Sequence, residues 1–141
     1  LLSRRQRQMC IRDSYGTPKD YVMQKLEQGI DVILEIEMQG ALKVKERFPE
    51  VSLIFITPPD VKVLRERLEG RGTETQDVIE KRLARAAQEC AYMDQYDYIV
   101  INDDLNVCVE QIHGLIQALH WKCVNQQGQI AKMKGEFANK A

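Results

Sequence analysis

The sequence predicts an α/β fold: a parallel sheet flanked by helices, with a helical hairpin rising from one edge as a lid. Three observations predict it. Short apolar, β-branched runs at 31–37, 51–57 and 98–101 read as strands. Helical patterns lie between them, and such alternation argues for parallel pairing through right-handed crossovers. Residues 65–85 carry two helical patterns that meet at a glycine-flanked arginine.

The chain has 141 residues and a formal net charge of -1, which suits one domain and gives no sign of a general nucleic-acid binder. No apolar run is long enough to span a membrane, and no signal-peptide pattern occurs. Cys10, Cys90, Cys108 and Cys123 show no metal-ligand spacing and read as reduced thiols of a cytoplasmic protein. His113 and His120 share one helical stretch, where a surface or core role fits both. No internal repeat is present.

Residues 1–14 differ from the rest. Arg4, Arg5, Arg7 and Arg12 crowd a segment with little apolar periodicity. It reads as a basic arm or, given the abrupt change at Tyr15, as a scar outside the folded part. At 15–18 the sequence is Tyr-Gly-Thr-Pro. Thr17 can cap a helix that Pro18 opens, with Val22, Met23 and Leu26 as its apolar face and Gly29 as its end. Two hydroxyls, from Tyr15 and Thr17, then sit beside a helix N-terminus and make a ready anion site. A capped helix with nothing bound is the plainer alternative.

The run at 31–37 is Asp-Val-Ile-Leu-Glu-Ile-Glu, read as a strand covered on both faces. Glu35 and Glu37, two apart, point to one side at its carboxyl end, where α/β proteins place ligand groups. Either can hold magnesium through water, or both can be partly exposed edge acids. A helix follows over 38–48, then a second buried strand over 51–57. Pro58 and Pro59 stop that strand, and Asp60 can cap the next helix. The third strand, 98–101, ends in the polar group Asn102, Asp103 and Asp104. A long amphipathic helix follows, with Val109, Ile112, Leu115, Ile116 and Leu119 on one side. The polar tail, 125–141, is expected to fray.

The hairpin has Leu64 and Leu68 on the face of its first helix. Gly70 and Gly72 break that helix around Arg71. Thr73 and Gln76 fit a capping box for the second helix, on which Ile79, Leu83, Ala86 and Cys90 recur at helical spacing. Arg67, Arg71, Arg82 and Arg85 thus surround the tip. Guanidinium forks suit phosphate oxygens, and a hairpin bearing them can close over a polyphosphate. The alternative is an exposed helix pair in which Glu66, Glu69, Glu74 and Glu80 neutralise those arginines. Polar candidates at the strand ends, with the hairpin above them, favour nucleotide binding without naming the nucleotide.

Four blocks, in order, resemble the C-terminal two-thirds of a bacterial-type guanylate kinase. They are Tyr15-Gly16-Thr17, the stretch at 31–40, Pro58-Pro59 through Gly70-Arg71-Gly72-Thr73-Glu74, and Tyr96-Asp97-Tyr98 through Asn102-Asp103-Asp104. The resemblance covers roughly residues 15–121. It implies a P-loop-kinase-like α/β sheet with a helical lid at about 67–85, inside a domain at 15–124. It also implies transfer of the γ-phosphate of ATP to GMP or dGMP with Mg2+. By position, Tyr15 would bind the GMP phosphate, Thr17 the guanine, and Glu37 would sit on the guanine side. Glu35 would lie near the ATP phosphates and magnesium. Arg71 and Arg82 would stabilise the migrating phosphoryl group. Arg67 would lie beside the ATP base and phosphates, with Asn102 and Asp103 near the adenine.

Two departures stand out. Many members of the family carry aspartates where this chain has Glu35 and Glu37. No G-x-x-x-x-G-K-[ST] stretch occurs in the chain, although the family carries one near its N-terminus. The expectation is therefore a piece that lacks the P-loop strand, is marginally stable and has no useful kinase activity alone. Two other readings compete: a non-catalytic guanylate-kinase-like interaction module, and another nucleoside-monophosphate kinase. The paired lid arginines disfavour the first. The Tyr-Gly-Thr block beside two acids favours guanine over the second.

Overall fold

A computed structural model describes residues 19–72 and 74–139. The expected cap and anion site at Tyr15 and Thr17, the arginine-rich segment at 1–14 and the capping threonine Thr73 lie outside the described residues. The chain divides into two compact units, Leu1–Val51 and Ser52–Ala141.

In the first unit, helix α1 (Lys19–Glu27) ends where the sequence places its stop. Gly29 takes φ +73°, which a side chain would strain. Its N–H donates to Leu26 O at 2.9 Å and Ile30 N–H donates to Lys25 O at 3.0 Å, a Schellman closure. The expected apolar face is open, with Met23 39% and Leu26 50% exposed. Helix α2 (Met38–Arg47) begins from Glu37, whose extended backbone forms the N-cap without a side-chain cap bond. Gly40 and Ala41 are its buried residues. Lys45 Nζ donates to Val51 O at 2.6 Å. The Lys19 ammonium lies 5.6 Å from the centre of the Phe48 ring, within cation–π range.

Between these helices the expected strand at 31–37 does not form. Val32, Leu34 and Ile36 are half-buried, while Ile33, Glu35 and Glu37 are exposed. The alternation of an extended chain is there, but cover on both faces is not, and Ile33 is 74% exposed. A strand needs a ladder partner, and this unit has no second strand among its described residues.

The second unit holds a two-stranded parallel sheet, β1 (Ile54–Thr57) and β2 (Tyr98–Ile101), with Ile54 opposite Tyr98 and Thr57 opposite Ile101. β1 is shorter than the expected 51–57 because Leu53 is engaged differently. Its N–H donates to Asp97 Oδ2 at 2.7 Å, and its carbonyl accepts from the N–H groups of Asp97 and Tyr98. At the other end Asn102 N–H donates to Thr57 O at 2.7 Å. Phe55 and Tyr96 meet edge to face, ring centres 5.1 Å apart. Burial of Tyr96, and then the charge of Glu89, raise its phenol pKa. Val100 and Leu53 are buried, but Ile56, which shares a face with Val100, and Ile99 and Ile101 on the other face are all more than half exposed, so neither face of the sheet is covered along its length.

The β1–β2 connection carries the hairpin. Asp60 caps helix α3 (Val61–Gly70) as expected, its Oδ1 accepting from Val63 N–H at 2.8 Å. Gly72 has φ +63° at the tip. Helix α4 (Gln76–Cys90) starts two residues later than the capping box implied. Thr75 is the N-cap, with no side-chain cap bond, and Glu74, just before it, pairs with Arg82. Leu68 and Ile79 are the buried residues of the pair. Cys90 leaves the expected apolar stripe at the helix end and is exposed.

Helix α5 (Leu105–His120) packs on β2 and is capped by Asp104, which accepts from Val107 N–H at 3.0 Å. Cys108 is buried in the place expected for Val109, which is 56% exposed. The tail does not simply fray: residues Gln127–Ala138 form helix α6, although none of its residues is buried. Among the described residues no helix is long and apolar enough to cross a membrane.

Candidate functional site

Parallel pairing puts the carboxyl ends of β1 and β2 at one edge. β1 leads there into Pro58, Pro59 and α3, while β2 leads into Asn102 and Asp103. Arg67 joins the two. Its Nη1 donates to Asn102 O at 2.6 Å and its Nη2 to Asp103 O at 2.9 Å. A planar guanidinium can hold two successive carbonyls in this way, and an ammonium cannot match it. The structure therefore brings together Arg67, Asn102 and Asp103, the three residues that sequence reading put on one side of a nucleotide. Beside them a groove of about 610 Å³ runs between β2 and α5, lined in part by Ile99, Ile101, Asp103, Val107 and Leu115.

The hairpin is cross-braced higher up. Arg65 Nη1 lies 2.6 Å from Glu80 Oε1, linking α3 to α4, and 3.9 Å from Glu69 on its own helix. The hydrogen bond from Arg65, together with its charge, holds the Glu80 carboxyl below its usual range. The same bond raises the Arg65 guanidinium. Arg85 pairs with Glu89 at 3.1 Å. A second groove of about 440 Å³ lies between α3 and α4, lined by Leu64, Leu68, Arg82, Arg85, Ala86 and Glu89.

The two lid-tip arginines differ. Arg82 Nη2 lies 2.6 Å from Glu74 Oε1. Arg71 is exposed and follows the last residue of α3. Its side chain makes no hydrogen bond or ion pair to another described residue. Of the neutralisation foreseen for Arg67, Arg71, Arg82 and Arg85, the Glu74–Arg82 pair occurs, while Glu80 pairs instead with Arg65 and Arg85 with Glu89. Sequence reading gave no weight to Arg65 as the inter-helix brace, since both pairs span turns whose geometry it could not supply.

Glu35 and Glu37 stand in the first unit, both exposed, on the same side of the extended segment. Tyr15 and Thr17, the other two residues expected at the site, lie outside the described residues. Among the described residues no three His, Cys, Asp or Glu side chains gather as a metal cage.

Comparison with known proteins adds a family. A model of the guanylate kinase family matches residues 7–119, so the match begins inside the arginine-rich segment. A guanylate kinase of Streptococcus mutans is 47% identical over 126 residues, 89% of this chain and 60% of the relative. One from Streptococcus agalactiae is 46% identical over 130 residues, 92% of this chain and 62% of the relative. One from Streptococcus thermophilus is 46% identical over 123 residues, 87% of this chain and 59% of the relative. The chain spans about 60% of the length of the curated relatives it matches.

Proposed function

The chain belongs to the guanylate kinase family, and on that premise we propose that it serves the transfer of the γ-phosphate of ATP to GMP or dGMP in the cytoplasm. An oxygen of the nucleoside monophosphate attacks the γ-phosphorus. The bond from that phosphorus to the bridging oxygen breaks, and ADP and GDP (or dGDP) leave. Such transfer needs positioning and charge neutralisation rather than covalent help from the protein.

One observation carries the reading: the Arg67 fork fastens the arginine hairpin to the carboxyl end of β2 at Asn102 and Asp103. In this arrangement Arg71 and Arg82 meet the charge on the migrating phosphoryl group. Arg67, Asn102 and Asp103 border the adenine side. Tyr15 holds the GMP phosphate, Thr17 contacts the guanine, and Glu37 lies on the guanine side. Mg2+ would come with the ATP phosphates and be held through water by Glu35. It supplies charge neutralisation at the phosphate oxygens when bound. Exposed glutamates in place of the family's frequent aspartates keep the charge with a longer reach. The exposed Arg71, which makes no ion pair among the described residues, favours an arginine lid over a peptide-binding module.

A chimera tests this. This chain replaces the matched region of a streptococcal relative, and ADP release is followed with ATP, Mg2+ and GMP. Turnover to GDP supports the proposal. A folded chimera that releases no ADP contradicts it.

A further inference from the structure

We propose that Glu74 is a positioning residue for Arg82, an inference that rests on the lid reading above. Glu74 stands just before the N-cap of α4, and Arg82 lies two turns into that helix, eight residues on. The pair therefore stitches the tip of the hairpin to α4 and is not an i,i+4 contact along one exposed face. Its burial is uneven. The Glu74 side chain is 15% exposed and that of Arg82 48%. By contrast, the ordinary helix pair Lys62–Glu66 is 85% and 61% exposed. Ion pairs wet at both ends hold little, whereas a covered carboxylate has few other positions to take.

A second observation points the same way. The other carboxylate oxygen, Glu74 Oε2, is buried and has no hydrogen-bond partner among the described residues. An oxygen covered in this way leaves the carboxylate few other positions, so what surrounds Glu74 helps to fix it. With Nη2 held against Glu74, the Arg82 guanidinium is tethered at one nitrogen, and its remaining donors have no partner among the described residues. A phosphoryl group in transfer would meet a fork already oriented. Arg71 at the same tip would have to be ordered by the ligand. Division of labour follows: Arg82 is set beforehand, and Arg71 closes.

Arginine side-chain NMR of this chain tests the proposal, with Glu74→Gln and Glu74→Ala beside the unsubstituted protein. Rotation of the Arg82 guanidinium should quicken about threefold in Glu74→Gln, which keeps an acceptor but loses the charge, and about tenfold in Glu74→Ala. Arg85, paired with Glu89, should be unchanged and serves as the internal control. If Glu74→Ala does not fold, Glu74→Gln alone decides. Arg82 rotation that is the same in Glu74→Gln as in the unsubstituted chain overturns the inference. In the active chimera, Glu74→Ala should lower kcat about tenfold with both KM values within about twofold, and Glu74→Gln should recover most of it. A kcat loss for Arg82→Ala with none for the Glu74 variants sinks the positioning role. No loss for Arg82→Ala itself sinks the lid reading instead.

Discussion

Arg67 Nη1 lies 2.6 Å from the carbonyl oxygen of Asn102, a bond that joins residues 35 apart in sequence and fastens α3 to the end of β2. The second bond, to Asp103 O, makes the contact a fork. Lysine keeps the charge but not the fork. Arg67→Lys should therefore speed amide hydrogen exchange at Asn102, whose N–H closes the sheet on Thr57, by about threefold or more. The amide of Ile79, on α4, should exchange as before. Unchanged exchange at Asn102 would show that the fork does not secure this edge.

The Arg65–Glu80 brace carries a pH dependence. Glu80 has a folded pKa lowered below 4.5, chiefly by the hydrogen bond from Arg65. A lowered carboxylate pKa means stability that is present above about pH 4.5 and lost as pH falls through the folded value. The hairpin should loosen on that acid limb, and Glu80→Gln should flatten it. Carbonyl-carbon NMR of Glu80 across that range, compared with hairpin amide exchange, is the check. A Glu80 titration at the ordinary carboxylate position would contradict the brace.

Ile79 is 3% exposed and is the one buried residue of α4. Ile79→Ala should cost about 2–4 kcal/mol in urea denaturation, the range for losing a buried branched side chain without repacking. Val78→Ala is the control, since Val78 is 38% exposed and should cost well under 1 kcal/mol. Equal costs would mean that α4 has no specific packing on its neighbours.

Sequence showed most of the second unit. Local signals there act alone: Asp60 and Asp104 cap the helices they precede, Pro58 and Pro59 stop β1, and β2 has the expected bounds. Reading failed where a partner decides the outcome. The run at 31–37 has strand-like composition but no ladder neighbour among the described residues of its unit, and it is an extended segment. α4 begins at Gln76 with Thr75 as its N-cap, and the Glu74–Arg82 pair beside that start is a contact that helix-capping patterns do not encode. Cys108 displaced Val109 from the covered side of α5, since one residue of helix rotation decides which side chain faces β2. At the site, residue types were legible and pairings were not. That Arg67 is forked onto carbonyls, Arg82 held and Arg71 exposed depends on distances alone.

Arg82→Ala in the active chimera tests the central claim most directly, through steady-state ADP release with ATP, Mg2+ and GMP. An arginine that meets charge only in the transition state should cost about a thousandfold in kcat, with both KM values within about threefold. A kcat within about twofold of the unsubstituted chimera would contradict the account.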